Sequence, residues 1–253
     1  MRKKRLLVGF LFILLFVGFT YLVKTVDVNK VGEQNVVVGI ALAFVFKPTA
    51  VIWVLIIIGG VLASIIQHFF IARKIPVFTL PFIVITWVFI FVLHHMSHVD
   101  FMEMSSMEPV HHDYDDYLVG TNSFGEVIFQ GGALSGVIFF IAVFINSPIS
   151  ALYGFIGAII ASVISQIHGE SASDIKLGLF GFNAVLSAIA FAGIKKIDGL
   201  WVLIAVVLTV YIDDFLIDNH LLEIVGGVFT FPFVLGTCLT LILKNVIFKK
   251  FSS

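Results

Sequence analysis

Long apolar segments follow one another along almost the whole of this 253-residue chain. A helix of about 20 apolar residues crosses the hydrocarbon core of a bilayer, and segments of about that length recur from end to end. Charged residues make up 12% of the chain, against about 25% in soluble domains, which is too few to cover a surface exposed to water. The sequence therefore predicts an all-α polytopic membrane protein.

Nine membrane spans are predicted from the apolar segments and the polar or glycine-rich residues between them. They cover residues 6–23, 31–46, 50–72, 76–96, 132–146, 148–167, 177–194, 199–217 and 226–247. The first span follows a basic cluster, as in a signal peptide, but no small-residue cleavage site follows it. We interpret it as a retained span.

Two pairs of segments indicate an internal repeat. Residues 31–39 (VGEQNVVVG) align with residues 180–188 (FGFNAVLSA) at an offset of 149 residues. Residues 76–82 (PVFTLPF) align with residues 227–233 (GVFTFPF) at an offset of 151. Nothing in the first half corresponds to residues 123–146, so the first repeat is predicted to be incomplete.

Basic residues predict the topology, because Lys and Arg favour the cytoplasmic side. Residues 73–74, 195–196 and 249–250 are all basic, and all can be cytoplasmic if a complete repeat has five spans. An odd number of spans makes the two repeats inverted relative to each other. The C-terminus is then cytoplasmic, and the acidic, His-rich stretch between the fourth and fifth spans is external.

Three regions follow from this topology: a first, incomplete transmembrane repeat at 1–96, an external loop at 97–120 and a second repeat at 121–253. The basic cluster at 2–5 and Lys47 fit this topology badly, because both would be outside. That conflict leads to the expectation that the chain as written is truncated at its start or has lost part of its first repeat.

Residues 123–132 (SFGEVIFQGG) are apolar but too short to cross a membrane, and they end in two glycines. Such a segment predicts a half-membrane re-entrant helix, which is tolerated where protein or a cavity surrounds it. Glu126 lies within it, and an ionisable group at membrane depth indicates function. The alternative is that the segment lies at the interface and Glu126 is hydrated.

The repeated TxPF elements place Thr79 and Thr230 at equivalent positions, each two residues before a proline. A proline inside a helix opens the backbone hydrogen-bond ladder, so these elements are candidates for the lining of a pore. The alternative is that each threonine hydroxyl bonds its own helix backbone.

One aromatic and one amide stand together in the span at 177–194. Phe182 is either a packing residue or a functional one, and its repeat counterpart is Glu33. Asn183 needs partners in an apolar environment, and its counterpart Gln34 also carries an amide. We interpret Asn183 and Gln34 as structural ties between helices.

Two further groups of polar residues are interpreted as solvated ends of helices and loops. They are His94, His95, His98, His111 and His112, and Asp213, Asp214, Asp218, His220 and Glu223. The histidines could instead bind a divalent metal or respond to pH. The chain lacks the patterns typical of nucleophilic or phosphate-binding enzymes, and its net charge of −1 gives no basic face for nucleic acid. Neither catalysis nor a cofactor is expected.

Three motifs together resemble the urea transporter family: residues 178–186 (GLFGFNAVL), the paired TxPF elements and residues 125–148 (GEVIFQGGALSGVIFFIAVFINSP). The resemblance covers residues 123–247 well and 31–96 fairly. It implies a passive, channel-like facilitator of urea in the cell membrane, built from inverted repeats and assembled as a homotrimer with one pore per protomer.

The resemblance also implies roles for individual residues. Glu126 would be a hydrogen-bond acceptor for the amide hydrogens of urea, with Val127 and Phe129 on the same half-helix. Phe182 and Leu186 would form an apolar wall of a narrow slot. Thr79 and Thr230 would lie at the midpoint of the pore.

The first half departs from this pattern, because it lacks the first half-helix and has Glu33 in place of a slot aromatic. A second hypothesis is therefore a truncated, transport-inactive homologue, kept as a trimer partner or produced by a late start assignment. A third is a membrane metalloprotein that uses the histidines of the loop.

Overall fold

The computed structural model describes residues 38–39, 41–42, 45–47, 49–95, 115–128 and 132–252. The spans predicted at 6–23 and for most of 31–46 lie outside these residues, as do Gln34 and Phe129. The chain divides into two compact units, Met1–Phe101 and Met102–Ser253, which are taken one at a time below. Within the described residues the regular elements are α-helices and one short 3-10 turn.

The first unit contains an antiparallel pair of helices, α1 (Ala50–Ala72) and α2 (Leu80–His94). The Thr49 hydroxyl caps α1 by accepting a hydrogen bond from the Ile52 backbone nitrogen at 3.4 Å. A Cβ atom at Gly59 would lie 2.8 Å from the Phe89 ring. The absence of a side chain at Gly59 therefore lets α1 and α2 pack closely, as small residues do between membrane helices.

The second unit holds the remaining helices. They are α3 (Asp115–Glu126), α4 (Ala133–Asn146), α5 (Pro148–His168), α6 (Ala172–Leu177), α7 (Phe182–Phe191), α8 (Lys196–Asp218) and α9 (Phe231–Ser252), with the 3-10 turn Glu223–Val225 before α9. Three helices of the described residues, α1, α5 and α8, are long and apolar enough to span a membrane. Shorter apolar helices are α2, α4, α7 and the part of α9 up to Ile247.

Six of the predicted spans are confirmed as helices: α1 matches the predicted span at both ends, and α2, α4, α5, α8 and α9 differ from theirs by up to five residues at an end. The span predicted at 177–194 is confirmed only in its middle, because α6 ends at Leu177 and the helix within the span, α7, runs from Phe182 to Phe191. Gly178 has a φ of +86°, and a Cβ there would lie 2.7 Å from the backbone of Asn122. The helix is broken where α3 packs against it.

The short element before α4 also differs from the prediction. The helix was expected at 123–132 after a loop ending at 120, whereas α3 begins at Asp115 and ends at Glu126. Part of the predicted acidic loop is therefore the first half of α3, and Glu126 is the last residue of that helix.

Small residues bring α5, α7 and α8 together in the core of the second unit. A Cβ at Gly157 of α5 would lie 2.9 Å from the Ala188 side chain of α7. Trp201 and Val206 of α8 fill the space around these small residues and are 3% and 0% exposed. This packing fixes the positions of α7 and α8, which carry most of the buried polar side chains described below.

Candidate functional site

The end of α3 is rich in hydrogen-bond acceptors. Glu126, its last residue, is half-buried. The last four carbonyls of an α-helix have no partner inside the helix, and of these the Gly125 carbonyl accepts a bond from the Ile128 nitrogen at 3.1 Å. The helix dipole adds partial negative charge at the same end. A solute with several N–H donors is therefore favoured beside Glu126 over an anion.

Phe124 anchors α3 in the second unit. Its side chain is 0% exposed and meets the Phe140 ring edge-on, with ring centroids 5.3 Å apart. It also belongs to a buried cluster with Ala158 of α5 and Val185 of α7, against which Val127 packs. This cluster holds Glu126 and Val127 at the end of an element fixed to three other helices.

Helix α7 presents two adjacent faces of different character. Phe182 and Leu186 lie one turn apart and are half-buried. Asn183 and Ser187 are also one turn apart, on the neighbouring face, and both are 0% exposed. The apolar pair is thus accessible in part, whereas the polar pair lies in the protein interior.

Asn183 connects two other parts of the second unit. Its Nδ2 donates to Asp213 Oδ2 of α8 at 2.9 Å and to the Phe229 backbone carbonyl at 3.1 Å. These are the bonds that a structural tie between helices would make. Asn183 follows Phe182 directly, and Phe229 precedes Thr230, so this one amide joins the two segments that carry predicted site residues.

A second set of polar contacts between α7 and α8 lies one turn later on α7 and one turn earlier on α8. The Ser187 hydroxyl is 2.7 Å from the Thr209 hydroxyl of α8 and 3.4 Å from the Thr237 hydroxyl of α9. All three side chains are at most 1% exposed. Because α7 and α8 are antiparallel, the pairs 183–213 and 187–209 form two successive rungs between them.

The prediction of a solvated polar end is wrong for Asp213 and Asp214, which are 1% and 3% exposed. The reason is that α8 continues to Asp218, so both residues lie a full turn before its end and face neighbouring helices. Asp218, His220 and Glu223 are exposed, in agreement with a solvated end.

Asp214 is held by α5. The Ser165 hydroxyl donates to its Oδ1 at 3.2 Å, and His168 Nδ1 lies 2.5 Å from its Oδ2. Nearby, in the connection after α5, the pKa of Glu170 is raised above its usual value by burial and by the carboxylates of Asp218 and Asp214. This end of the unit is therefore acidic.

The two TxPF elements have the same backbone conformation. The phenylalanine before each threonine has a positive φ, 44° at Phe78 and 46° at Phe229, which is uncommon for a residue other than glycine. The Thr79 carbonyl accepts from the Ile83 nitrogen at 3.4 Å, and the equivalent bond from Val234 nitrogen to the Thr230 carbonyl is 3.2 Å. The sequence repeat is thus also a structural repeat at this point.

The expected effect of the prolines is wrong. Pro81 and Pro232 are the second residues of α2 and α9, and a proline in the first turn removes no hydrogen bond from the helix. Instead of opening a ladder, each proline starts a helix. Thr79 is half-buried and Thr230 is 3% exposed.

The second unit contains most of the predicted site residues. Helix α3, which ends in Glu126, packs against α6 and α7, and α7 begins with Phe182 and carries Leu186 one turn later. The amide of Asn183 reaches the turn that carries Thr230. Thr79 belongs to the first unit.

A sequence model of the urea transporter family matches residues 34–245. This match covers more than half of the chain. The chain belongs to the urea transporter family. Membership supports urea as the solute and a membrane setting, and the family is one of transporters and not of enzymes.

The buried polar partners of α7 in this urea transporter differ from what the sequence predicts. The sequence predicts a solvated Asp213, and the prediction includes neither Thr209 nor Thr237. A signal was present, because polar residues stand four apart in both apolar helices, at 183 and 187 and again at 209 and 213. Such spacing places each pair on one face.

The histidines of the predicted loop lie largely outside the described residues. Of those described, His95 bonds the Phe91 carbonyl of its own helix through Nδ1 at 2.8 Å. In the part of the chain that the structure describes, no three His, Cys, Asp or Glu side chains lie close enough to hold a metal ion.

Proposed function

We propose that this urea transporter is a passive channel for urea, in which the end of α3 supplies hydrogen-bond acceptors and α7 supplies one apolar wall of a narrow slot. Glu126 is the principal acceptor, and Phe182 and Leu186 form the wall. The observation that carries the proposal is that a short helix ends in acceptors while packed against a broken helix with a half-buried apolar face.

Urea is planar and neutral and has four N–H donors. Removing its water without replacement hydrogen bonds would cost several kcal/mol, and the acceptors at the end of α3 replace them. A hydrated ion would lose far more on entering an apolar slot. Flow down a concentration gradient needs no coupled ion.

The remaining predicted residues complete the pathway. Val127 and Phe129 follow Glu126 and narrow the slot, and Thr79 and Thr230 offer hydroxyl groups at its midpoint, one from each repeat. The common backbone of the two TxPF elements supports the repeat. Asn183 and Gln34 act as structural ties.

The proposal includes inverted repeats in the plasma membrane and a homotrimer with one pore per protomer. The basic pairs at 73–74, 195–196 and 249–250 support a cytoplasmic C-terminus. The stretch at 97–120 is then extracellular.

Stopped-flow light scattering on proteoliposomes tests the function. Vesicles with the protein should reswell in a urea gradient faster than empty vesicles. E126A should reduce urea permeability about tenfold or more, because one lost hydrogen bond between the solute and a charged group is worth about 1.5–3 kcal/mol. E126Q keeps one carbonyl acceptor and should fall between E126A and the wild type.

Glu223 provides the matched control, because its carboxylate side chain is 70% exposed and bonds only locally to His220. E223Q should conduct urea as the wild type does. Equal permeability of empty and wild-type vesicles would contradict transport by this chain, and equal loss in E126A and E223Q would contradict the role of Glu126.

A further inference from the structure

We infer that Asp213 is a positioning residue for the urea pathway, which fixes the wall at Phe182 and the turn at Thr230 relative to each other through Asn183. The inference rests on the proposed function. Asp213 lies in α8, on a helix that carries none of the predicted pathway residues, and acts through its neighbour.

The Asn183 side chain joins its own helix, α7, to two other segments. Asn183 Nδ2 donates to Asp213 Oδ2 at 2.9 Å and to the Phe229 carbonyl at 3.1 Å, so the two hydrogens of a single NH₂ group are both used. Because Asn183 follows Phe182 and Phe229 precedes Thr230, each bond lies one residue from a pathway side chain. Asp213 sets the orientation of this amide.

Stability alone does not explain a carboxyl group at this place. Asp213 and Asn183 are 1% and 0% exposed, and the Oδ1 atom of each is buried with no hydrogen-bond partner among the described residues. Buried polar atoms without partners destabilise a fold. An apolar pair of similar volume would often be at least as stable, so the pair has a use beyond packing.

That use is to fix the turn before α9. The positive φ of Phe229, at 46°, is held by surrounding contacts and not by local preference. The bond from Asn183 fixes the direction of the Phe229 carbonyl and therefore of the peptide that leads to Thr230. A slot that selects a flat solute is sensitive to displacements of about 1 Å.

The test compares Asp213 with its neighbour Asp214. Both carboxyl groups are buried, but Asp214 bonds Ser165 and His168 of α5 and not α7. The variants are D213A, D213N and D214N in the full chain. The measurements are urea and N-methylurea permeability per folded protein in liposomes, and hydrogen–deuterium exchange of peptides covering 179–186 and 226–232.

D213A should lower urea permeability about fivefold or more and reduce the ratio of urea to N-methylurea permeability severalfold, since the loss of one bond is worth about 1 kcal/mol or more. Exchange should rise in both peptides. D213N should keep the wild-type ratio, because its carbonyl can accept from Asn183 Nδ2 and its NH₂ can donate to Asn183 Oδ1. D214N should lose thermal stability with the ratio unchanged.

Where D213A yields too little folded protein, D213E replaces it, because the added methylene keeps the carboxylate but moves it by about 1.5 Å. An unchanged permeability ratio in these variants, or the same change in D214N, would overturn the inference. Absence of urea flux in the wild type would instead overturn the proposed function. In that case hydrogen–deuterium exchange alone tests the positioning role. If exchange of peptides 179–186 and 226–232 is no faster in D213A than in D214N, the positioning role is overturned as well.

Discussion

Phe78 and Phe229 stand 151 residues apart at equivalent positions and have nearly the same positive φ, 44° and 46°. In both places the chain turns so that a helix can begin one residue after the following threonine. This agreement extends the repeat from side chains to backbone. It also means that the side chain at either position must tolerate a left-handed conformation.

We expect Phe229→Ile to be less stable than Phe229→Leu by about 1 kcal/mol or more, because a β-branched residue is especially unfavourable at positive φ. Both variants lose the phenyl ring, and leucine and isoleucine have the same number of atoms, so each variant is the control for the other. Thermal unfolding in detergent measures the difference. Equal midpoints would contradict a strained backbone at this turn.

Gly178 and Gly169 have nearly the same positive φ, +86° and +89°, but different surroundings. An added Cβ would meet nothing within 4 Å at Gly169, whereas at Gly178 it would lie 2.7 Å from Asn122 backbone and 2.8 Å from Ser123 backbone. G169A should therefore cost about 1–2 kcal/mol, the left-handed penalty alone. G178A should cost several kcal/mol more and separate α3 from the break before α7.

The measurement for this pair is thermal unfolding together with urea flux. G169A should keep flux at the wild-type level per folded protein. G178A should lose flux even where folded protein is recovered, because α3 carries Glu126. Similar stability of the two variants would show that α3 does not pack closely against Gly178.

Glu170 predicts a pH dependence of stability. Its pKa is raised by burial first and then by the carboxylates of Asp218 and Asp214, so the folded state binds the proton more tightly than the unfolded state does. Its deprotonation therefore destabilises the fold as pH rises above the ordinary carboxyl range of about 4. E170Q should match the wild type near about pH 4 and unfold at a higher temperature at neutral pH.

D218N removes part of the same repulsion. Its stabilising effect at neutral pH should be smaller in the E170Q background than in the wild type, because groups that interact are not additive. A lower unfolding temperature of E170Q at neutral pH, or full additivity of the two changes, would contradict this account.

Hydropathy and the internal repeat predict the helices whose ends depend on local sequence. The helix at 50–72 was placed to the residue because a polar residue precedes it and a basic pair follows it. The break at Gly178 was missed, because it is caused by α3, which lies more than 50 residues earlier in the chain. The burial of Asp213 was missed for a related reason: a carboxylate one turn before the end of a helix looks solvated until the end is known.

The contact between α3 and the later helices sets an order of events during synthesis. The Asn122 side chain donates to the Lys176 carbonyl at 2.8 Å, across 54 residues of sequence. At about 5–20 residues per second, the ribosome needs several seconds to make that partner. Helix α3, with 12 residues, is too short to be inserted as a span by itself. It takes its place from later-made protein, so an arrest of translation before α6 leaves Asn122 without its partner and α3 without its packing surface.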